Sequence, residues 1–318
     1  MVGYTDRHFR WILRQITRRT LLYSEMVTTH ALLHGDATRF LVLDPAEGPV
    51  ALQLGGDDPD ALARCAVLGE EAGYDEVNLN VGCPSERVQR GRFGACLMAY
   101  PVLVGRCLAV MQEAVSIPVT VKHRVGIGGL EAYADLRAFV EIVADHGCKD
   151  VIVHARIALL QGLSPKQNRS VPPLRYDDVY RLKEDFPDLT VEINGGILTL
   201  DEVATQLQRV DGVMLGRAAI DNPFLFAAAD RRIFEEDAAG PTRRQVVEVV
   251  APYVARHVAA GGSPIHVLRH LLGLFSHQPG NKMWRRALGG EVARAADSPG
   301  ALLELLGRLA PRVLDAST

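Results

Sequence analysis

The chain has 318 residues, 48% of them hydrophobic, and a formal net charge of −3, so it can bury a large core and lacks the overall basic charge of a dedicated nucleic-acid binder. No apolar run approaches the ~18 residues that span a bilayer, and residues 4–19 are charged throughout, so neither a membrane span nor a secretory leader is expected. The five cysteines, Cys65, Cys83, Cys96, Cys107 and Cys148, form no C-x-x-C pair. That argues against a disulfide framework and against a metal site, and it leads to a reducing cytoplasm as the expected setting.

Charge is unevenly spread. Residues 241–318 hold ten Lys/Arg against five Asp/Glu, a net of +5, which leaves −8 on residues 1–240. A basic appendage on an acidic body suits a grip on a polyanion from one side, and a solvated helical surface gives the same imbalance.

In chain order, Thr5-Asp6 offers an N-cap, and residues 7–18 read as a helix with Phe9, Ile12, Leu13 and Ile16 at helical spacing. Strand-like runs follow at 21–27, 50–54, 76–82, 119–125, 150–156, 190–194 and 212–217. Helical patterns separate them at 59–73, 101–114, 131–146, 177–185 and 200–207. This alternation predicts a parallel sheet. Seven strands are visible, and one more before Thr5 would complete a (β/α)8 TIM barrel. A doubly wound sheet is the competitor, weakened because no G-x-G-x-x-G follows the first visible strand. From about Pro241 the strands stop. Helices are expected over 246–260, 266–275, around 284–294 and over 301–314, with Gly261-Gly262 and Gln278-Pro279-Gly280 as breaks. The expected organisation is a catalytic barrel over 1–238 and a small helical bundle over 239–318.

One stretch stands apart. Glu76-Val77-Asn78-Leu79-Asn80-Val81 alternates with the period of a strand and then meets Gly82-Cys83-Pro84, which cannot continue one. A thiol is thereby held at a strand's C-terminal mouth beside two amide side chains. Free cysteines are usually small core residues, so Cys83 is read either as packing or as chemistry.

In a (β/α)8 enzyme the site gathers at the C-terminal strand ends. Here those ends carry Gln53, then Asn78, Asn80 and Cys83, then Lys122 and Arg124, then His154 and Arg156, then Asn194-Gly195-Gly196, and last Gly216-Arg217. The glycine pairs follow the two strands after which barrels often hold a phosphate, though tight turns alone would also use them. A phosphate at the rim with polar groups running inward suits a phosphorylated planar cofactor, with FMN the natural candidate. Lys122 would then face the electron-rich end of its ring. The long loop 157–176 is stiffened by Pro165, Pro172 and Pro173 and bears Lys166 and Arg169 for phosphate or base contacts. Arg285 and Arg286, with Arg269 and His270, supply further cations, and Trp284 is read as core before stacking platform.

From Thr5 to Arg286 the chain resembles the tRNA dihydrouridine synthases, flavoenzymes that reduce uridine in tRNA. The resemblance is carried by Asn78–Ser85, Val121-Lys122-His123-Arg124, Val153-His154-Ala155-Arg156, Ile193–Gly196 and Asp211–Arg217. Lys166-Gln167-Asn168-Arg169 followed by Pro172-Pro173-Leu174 resembles the A-type subfamily, which acts on D-loop positions 20 and 20a. The resemblance implies FMN contacts from Gln53, Lys122, His154, Asn194, Gly195, Gly196, Gly216 and Arg217. It places Met1 and Val2 at the end of a flavin-touching turn. It also implies reduction by NADPH, proton donation by Cys83 to C5 of a flipped uracil whose C6 receives hydride, and tRNA contacts from Asn80, Lys166, Arg169, Arg285 and Arg286. A monomer is expected. The family's first strand is missing ahead of Met1, so the natural start is expected upstream. A small-molecule FMN oxidoreductase on the same barrel, or a catalytically impaired tRNA-binding homologue, are the alternatives; the first has no use for the basic C-terminal segment.

Overall fold

The computed structural model describes residues 1–316. Its strands are β1 (Leu22–Tyr23), β2 (Val27–Thr28), β3 (Val50–Gly55), β4 (Glu76–Val81), β5 (Val119–Arg124), β6 (Asp150–His154), β7 (Thr190–Asn194) and β8 (Gly212–Met214). They form one sheet in the order β1-β3-β4-β5-β6-β7-β8, with β2 also on β3; the ladders from β2 to β8 are parallel. From β2 onward helices connect successive strands, consistent with the (β/α)8 barrel architecture expected from the alternation. No described helix is long and apolar enough to cross a membrane.

Packing divides the chain into two compact units, Tyr23–Leu215 and Met1–Leu22 with Gly216–Thr318. In the first unit the period of two sorts each strand's side chains. Val77, Leu79 and Val81 are fully buried on one face of β4. That face meets helices: Gly69 of the helix Pro59–Glu71 lies so close to Leu52 that an added Cβ would fall 2.7 Å from its Cδ2. His123 likewise packs against Phe139 of the helix Tyr133–Asp145, with ring centroids 4.9 Å apart. Burial pushes its imidazole down to about 4, so it is a neutral core residue. The other face carries polar side chains, and the parallel register lines them up. Gln53 lies opposite Asn78, Asn80 opposite Lys122, and His154 opposite Asn194.

The run 21–27 is broken rather than continuous. Ser24 turns its hydroxyl onto the ladder, accepting from Gln53 N at 2.9 Å and donating to Glu25 O at 2.8 Å. A side chain thus replaces a backbone partner, and the strand splits into β1 and β2. Two short helices, Thr29–His34 and Ala37–Phe40, follow with Thr28 and Asp36 as N-caps.

In the second unit the helix Arg7–Arg14 is capped by Asp6, whose carboxylate accepts from His8 N and Phe9 N, both at 3.0 Å. The same carboxylate pairs with Arg269 and with His270 Nε2, which hold it well below the usual carboxylate range. The helices Arg243–Ala259, Asn281–Ala287 and Ser298–Leu306 build an apolar core. Trp284 is its largest buried side chain, with its indole donating to Leu271 O at 2.8 Å and its ring 4.6 Å from Phe275. The helix expected over 266–275 is shorter, Ile265–Leu268 followed by the 3-10 turn Arg269–Leu271. Beyond it Gly273 packs where a Cβ would fall 2.6 Å from Ile220 O, so the chain there is shaped by tertiary approach.

Candidate active site

A continuous hydrogen-bonded chain crosses the polar face of the barrel strands. Tyr23 OH and Thr120 Oγ1 both donate to Glu76 Oε1, at 3.0 and 2.6 Å. Thr120 in turn accepts from Asn78 Nδ2 at 2.8 Å. Gln53 Nε2 donates to Asn78 Oδ1 at 2.9 Å, and Asn80 Nδ2 donates to Gln53 Oε1 at 2.8 Å. Asn80 Oδ1 then accepts two backbone amides, Gly82 N at 3.1 Å and Cys83 N at 3.0 Å. Each amide side chain uses both its donor and its acceptor end, so the orientation of every one is fixed by its neighbours.

The chain ends on the turn that carries Cys83. Cys83 is half-buried, and its thiol lies 3.6 Å from Ser85 Oγ. Its carbonyl accepts from Ala95 N at 2.9 Å. Gly94, at φ +75°, permits that approach, since a Cβ there would fall 2.6 Å from Cys83 O. The helix Glu86–Arg90 starts immediately after, capped by Ser85. Cys83 is therefore held from both sides as a turn residue, while Cys65, Cys107 and Cys148 are buried with thiols pushed up to between about 11 and about 12 by burial.

Lys122 sits one strand over. Its Nζ donates to Asn194 Oδ1 at 3.1 Å, and Asn194 Nδ2 donates to Met214 O at 2.6 Å. Desolvation, helped by the nearby Arg124, pulls the Lys122 ammonium down to about 7. Glu192 works in the opposite direction on Lys122, and its own carboxyl is pushed up to about 7 by burial and by Glu76 and Asp150. Burial thus opposes the charged form of both Lys122 and Glu192.

After β7 the chain turns through two closely packed glycines. Gly195 and Gly196 adopt φ of +117° and +78°. A Cβ on Gly196 would fall 2.6 Å from Leu174 Cδ1 and 2.9 Å from Tyr176 OH. Tyr176 fixes this segment by donating to Gly195 O at 2.5 Å. His154, at the end of β6, lies against the same glycines, its Cε1 being 3.2 Å from where a Gly195 Cβ would be.

The long loop is ordered by a buried amide. Asn168 accepts from Leu159 N at 2.8 Å and donates to Leu159 O at 2.9 Å and Leu163 O at 3.2 Å. Lys166 and Arg169 flank it in the 3-10 turn Gln167–Arg169 and its N-cap. A cleft of about 760 Å³ runs between this loop and the turn after Cys83, with Pro84, Gln89 and Arg90 on one wall and Leu160, Gly162 and Pro165 on the other.

Within Tyr23–Leu215 the structure therefore gathers Gln53, Asn80, Cys83, Lys122, His154, Asn194, Gly195 and Gly196 on the polar face and C-terminal ends of consecutive strands. In the other unit Met1 lies by Gly216, its Sδ being 3.5 Å from a Cβ placed there, and Arg217 opens the helix Arg217–Asp221. Val2 is exposed, as are Arg285 and Arg286 on the helix Asn281–Ala287. Sequence reasoning missed Tyr23, Glu76, Thr120, Gln89 and Tyr176, whose roles depend on cross-strand register and carry no local signal. Among the described residues no cluster of three or more His, Cys, Asp or Glu side chains is arranged to hold a metal ion.

Comparison with known proteins bears on the same residues. The family model described as dihydrouridine synthase matches residues 1–304. A protein of Synechocystis sp. called tRNA-dihydrouridine(20/20a) synthase is 56% identical over 299 residues, 94% of this chain and 90% of that protein. Proteins of the same description from Pseudomonas putida and Pseudomonas aeruginosa are 55% and 56% identical, each over 93% of this chain and 88% and 90% of their own lengths. With its match to the family model running through the strand ends, the Cys83 turn and the long loop, this chain belongs to the dihydrouridine synthase family.

Proposed function

We propose that this chain reduces uridine to 5,6-dihydrouridine in tRNA, at the D-loop positions 20 and 20a for which its relatives are named, using FMN held by the barrel and NADPH as the reductant. The observation that carries the reading is the Cys83 turn: a half-buried thiol just past the end of β4, its backbone amide fixed by Asn80, which itself lies opposite Lys122 in the β4–β5 ladder. When bound, reduced FMN supplies the hydride that C6 of the uracil accepts. The residues fit such a group. The positive-φ glycines Gly195-Gly196 leave backbone amides free of side chains for a phosphate, and an ammonium whose pKa burial has lowered gains most from an electron-rich ring beside it.

The chain's own side chains do the rest. Cys83 holds a proton on Sγ and delivers it to C5 as a general acid, so the base gains one hydride and one proton in all. Asn80 fixes the turn that aims the thiol and stands beside the base. By the family resemblance, Lys122, Gln53, His154, Asn194, Gly195 and Gly196 would hold the flavin, and Gly216, Arg217, Met1 and Val2 are assigned to it on the same ground. Lys166 and Arg169 on the long loop and Arg285 and Arg286 on the helical segment meet the RNA, whose target base leaves its stack to reach the barrel. In this reading residues 1–238 perform the chemistry and residues 239–318 grip the tRNA. The protein acts as a cytoplasmic monomer and uses no metal.

The test is an absorption spectrum of the purified protein, repeated anaerobically after NADPH and then after unmodified tRNA. Flavin bands that bleach with NADPH and return with tRNA support all three assignments. A protein that stays colourless with added FMN, or a bleached flavin that tRNA leaves unchanged, overturns them.

A further inference from the structure

Two side chains tie the Cys83 turn to the long loop, and neither reaches the barrel's polar chain. Arg124, 4% exposed, donates from Nε to Gly82 O at 3.1 Å. Its Nη1 donates to Asn168 O at 2.9 Å and to Ile157 O at 3.4 Å. One guanidinium therefore spans the residue before the thiol and the residue that orders the loop. Gln89 repeats the arrangement further out. Its Nε2 donates to Pro84 O, the residue after the thiol, and to Leu160 O of the loop, both at 2.9 Å. Cys83 thus lies between two bridged carbonyls, and both bridges end on the same loop.

We propose that Arg124 and Gln89 are positioning residues that couple the loop to the thiol, so that the loop's engagement of the RNA sets the alignment of Cys83 for proton transfer. Both hydrogens of the Gln89 amide nitrogen are committed, one to each side, so movement of Leu160 by more than a few tenths of an ångström breaks a bond or carries Pro84 with it. Arg124 has the same property with a rigid planar fork. A loop that bears Lys166 and Arg169 at its tip cannot shift onto a polyanion without loading these two links. Proton transfer is steep in alignment, so the coupling makes turnover depend on a correctly seated substrate. This inference rests on the reading of Cys83 as the proton donor and of the loop as an RNA contact.

The experiment uses the full-length flavin-loaded protein and its Gln89→Leu variant, which keeps the side chain's bulk and removes both donors. Hydrogen exchange without RNA is expected to quicken together in the amides of 82–95 and of 159–163; quickening confined to one segment overturns the link. With reduced enzyme and unmodified tRNA, Gln89→Leu is expected to lower kcat about tenfold while KM changes less than about threefold. Combined with Arg169→Ala, the kcat loss should be no greater than that of the worse single variant, because both act through one element. Losses that multiply, or a loss in KM alone, overturn the coupling. Flavin content and melting temperature check the fold. Should Gln89→Leu lose its flavin, Arg124→Lys, which keeps the charge but not the fork, faces the same three criteria. A wild-type enzyme that tRNA cannot reoxidise refutes the functional reading, and the exchange experiment still tests the link by itself.

Discussion

Asn80 Oδ1 accepts the amide of Cys83 at 3.0 Å, so a side chain at the end of a strand fixes the backbone of the residue that carries the thiol. The same amide group is held by Gln53, which leaves it no freedom to turn. Replacing Asn80 by Ala removes an acceptor for two backbone amides and a donor to Gln53. It should cost about 1–3 kcal/mol of stability and slow flavin reoxidation by tRNA by about 10- to 100-fold. Cys83→Ala should leave reduction by NADPH at the wild-type rate and slow reoxidation by about 10²- to 10⁴-fold. Stopped-flow absorbance of the flavin separates the two half-reactions. Equal slowing of both in Cys83→Ala would remove the thiol from its assigned step.

Lys122 sets a trade between stability and binding. Burial pulls its ammonium down to about 7 in the folded chain from an ordinary 10.5. Between those values the unfolded chain binds more protons, so stability rises with pH across the window, and below it the buried cation costs stability. Lys122→Met, stripped of flavin, should therefore be more stable than the parent at pH 6, with the gain shrinking by pH 10. The same variant should bind FMN more weakly and turn over more slowly. Urea midpoints at the two pH values decide the matter; a gain that does not depend on pH would show that charge is not its source.

Gly196 tests the glycine turn after β7. Its φ of +78° and the 2.6 Å approach of Leu174 to a notional Cβ make Gly196→Val strained in conformation and crowded in space. The variant should lose about 1–3 kcal/mol and release flavin more readily. Retention of flavin after gel filtration at parental levels would argue that nothing needs to come close to this backbone.

Arg285 and Arg286 project from the helix Asn281–Ala287 and are exposed, while Trp284 between the helix and its core is fully buried. Changing both arginines to Ala should leave the melting temperature unaltered and weaken tRNA binding. The slope of log affinity against log salt should flatten by about one to two. An unchanged slope would place the RNA elsewhere on the surface.

The Cys83 turn was legible in the sequence because two local signals coincide there: alternation through Val81, then Gly82-Cys83-Pro84. The loop 157–176 was legible from its length and prolines, and Trp284 as core from the general habit of its residue type. The links that make these parts a site were not. Gln89 gives no sign of reaching Leu160, 71 positions away, and Glu76 reads as an ordinary strand-edge charge until Tyr23 and Thr120 are placed on it. Ser24 breaks a strand through a hydroxyl that any strand tolerates. Local pattern reports which face a residue takes; register across strands, which decides its partner, is a property of the assembled sheet.

The polar chain from Tyr23 to Asn80 also governs how this barrel can change over generations. Thr120→Val would strand Asn78 Nδ2 and remove a donor from Glu76 in one step, and an isosteric change at Gln53 would unseat both asparagines. Substitutions inside the barrel must therefore arrive in matched sets to be tolerated, whereas the exposed faces of the surrounding helices can drift one position at a time. A library that randomises Gln53, Asn78 and Thr120 singly should return almost only the parental residues, and one that randomises them together is the route to a barrel with a different interior.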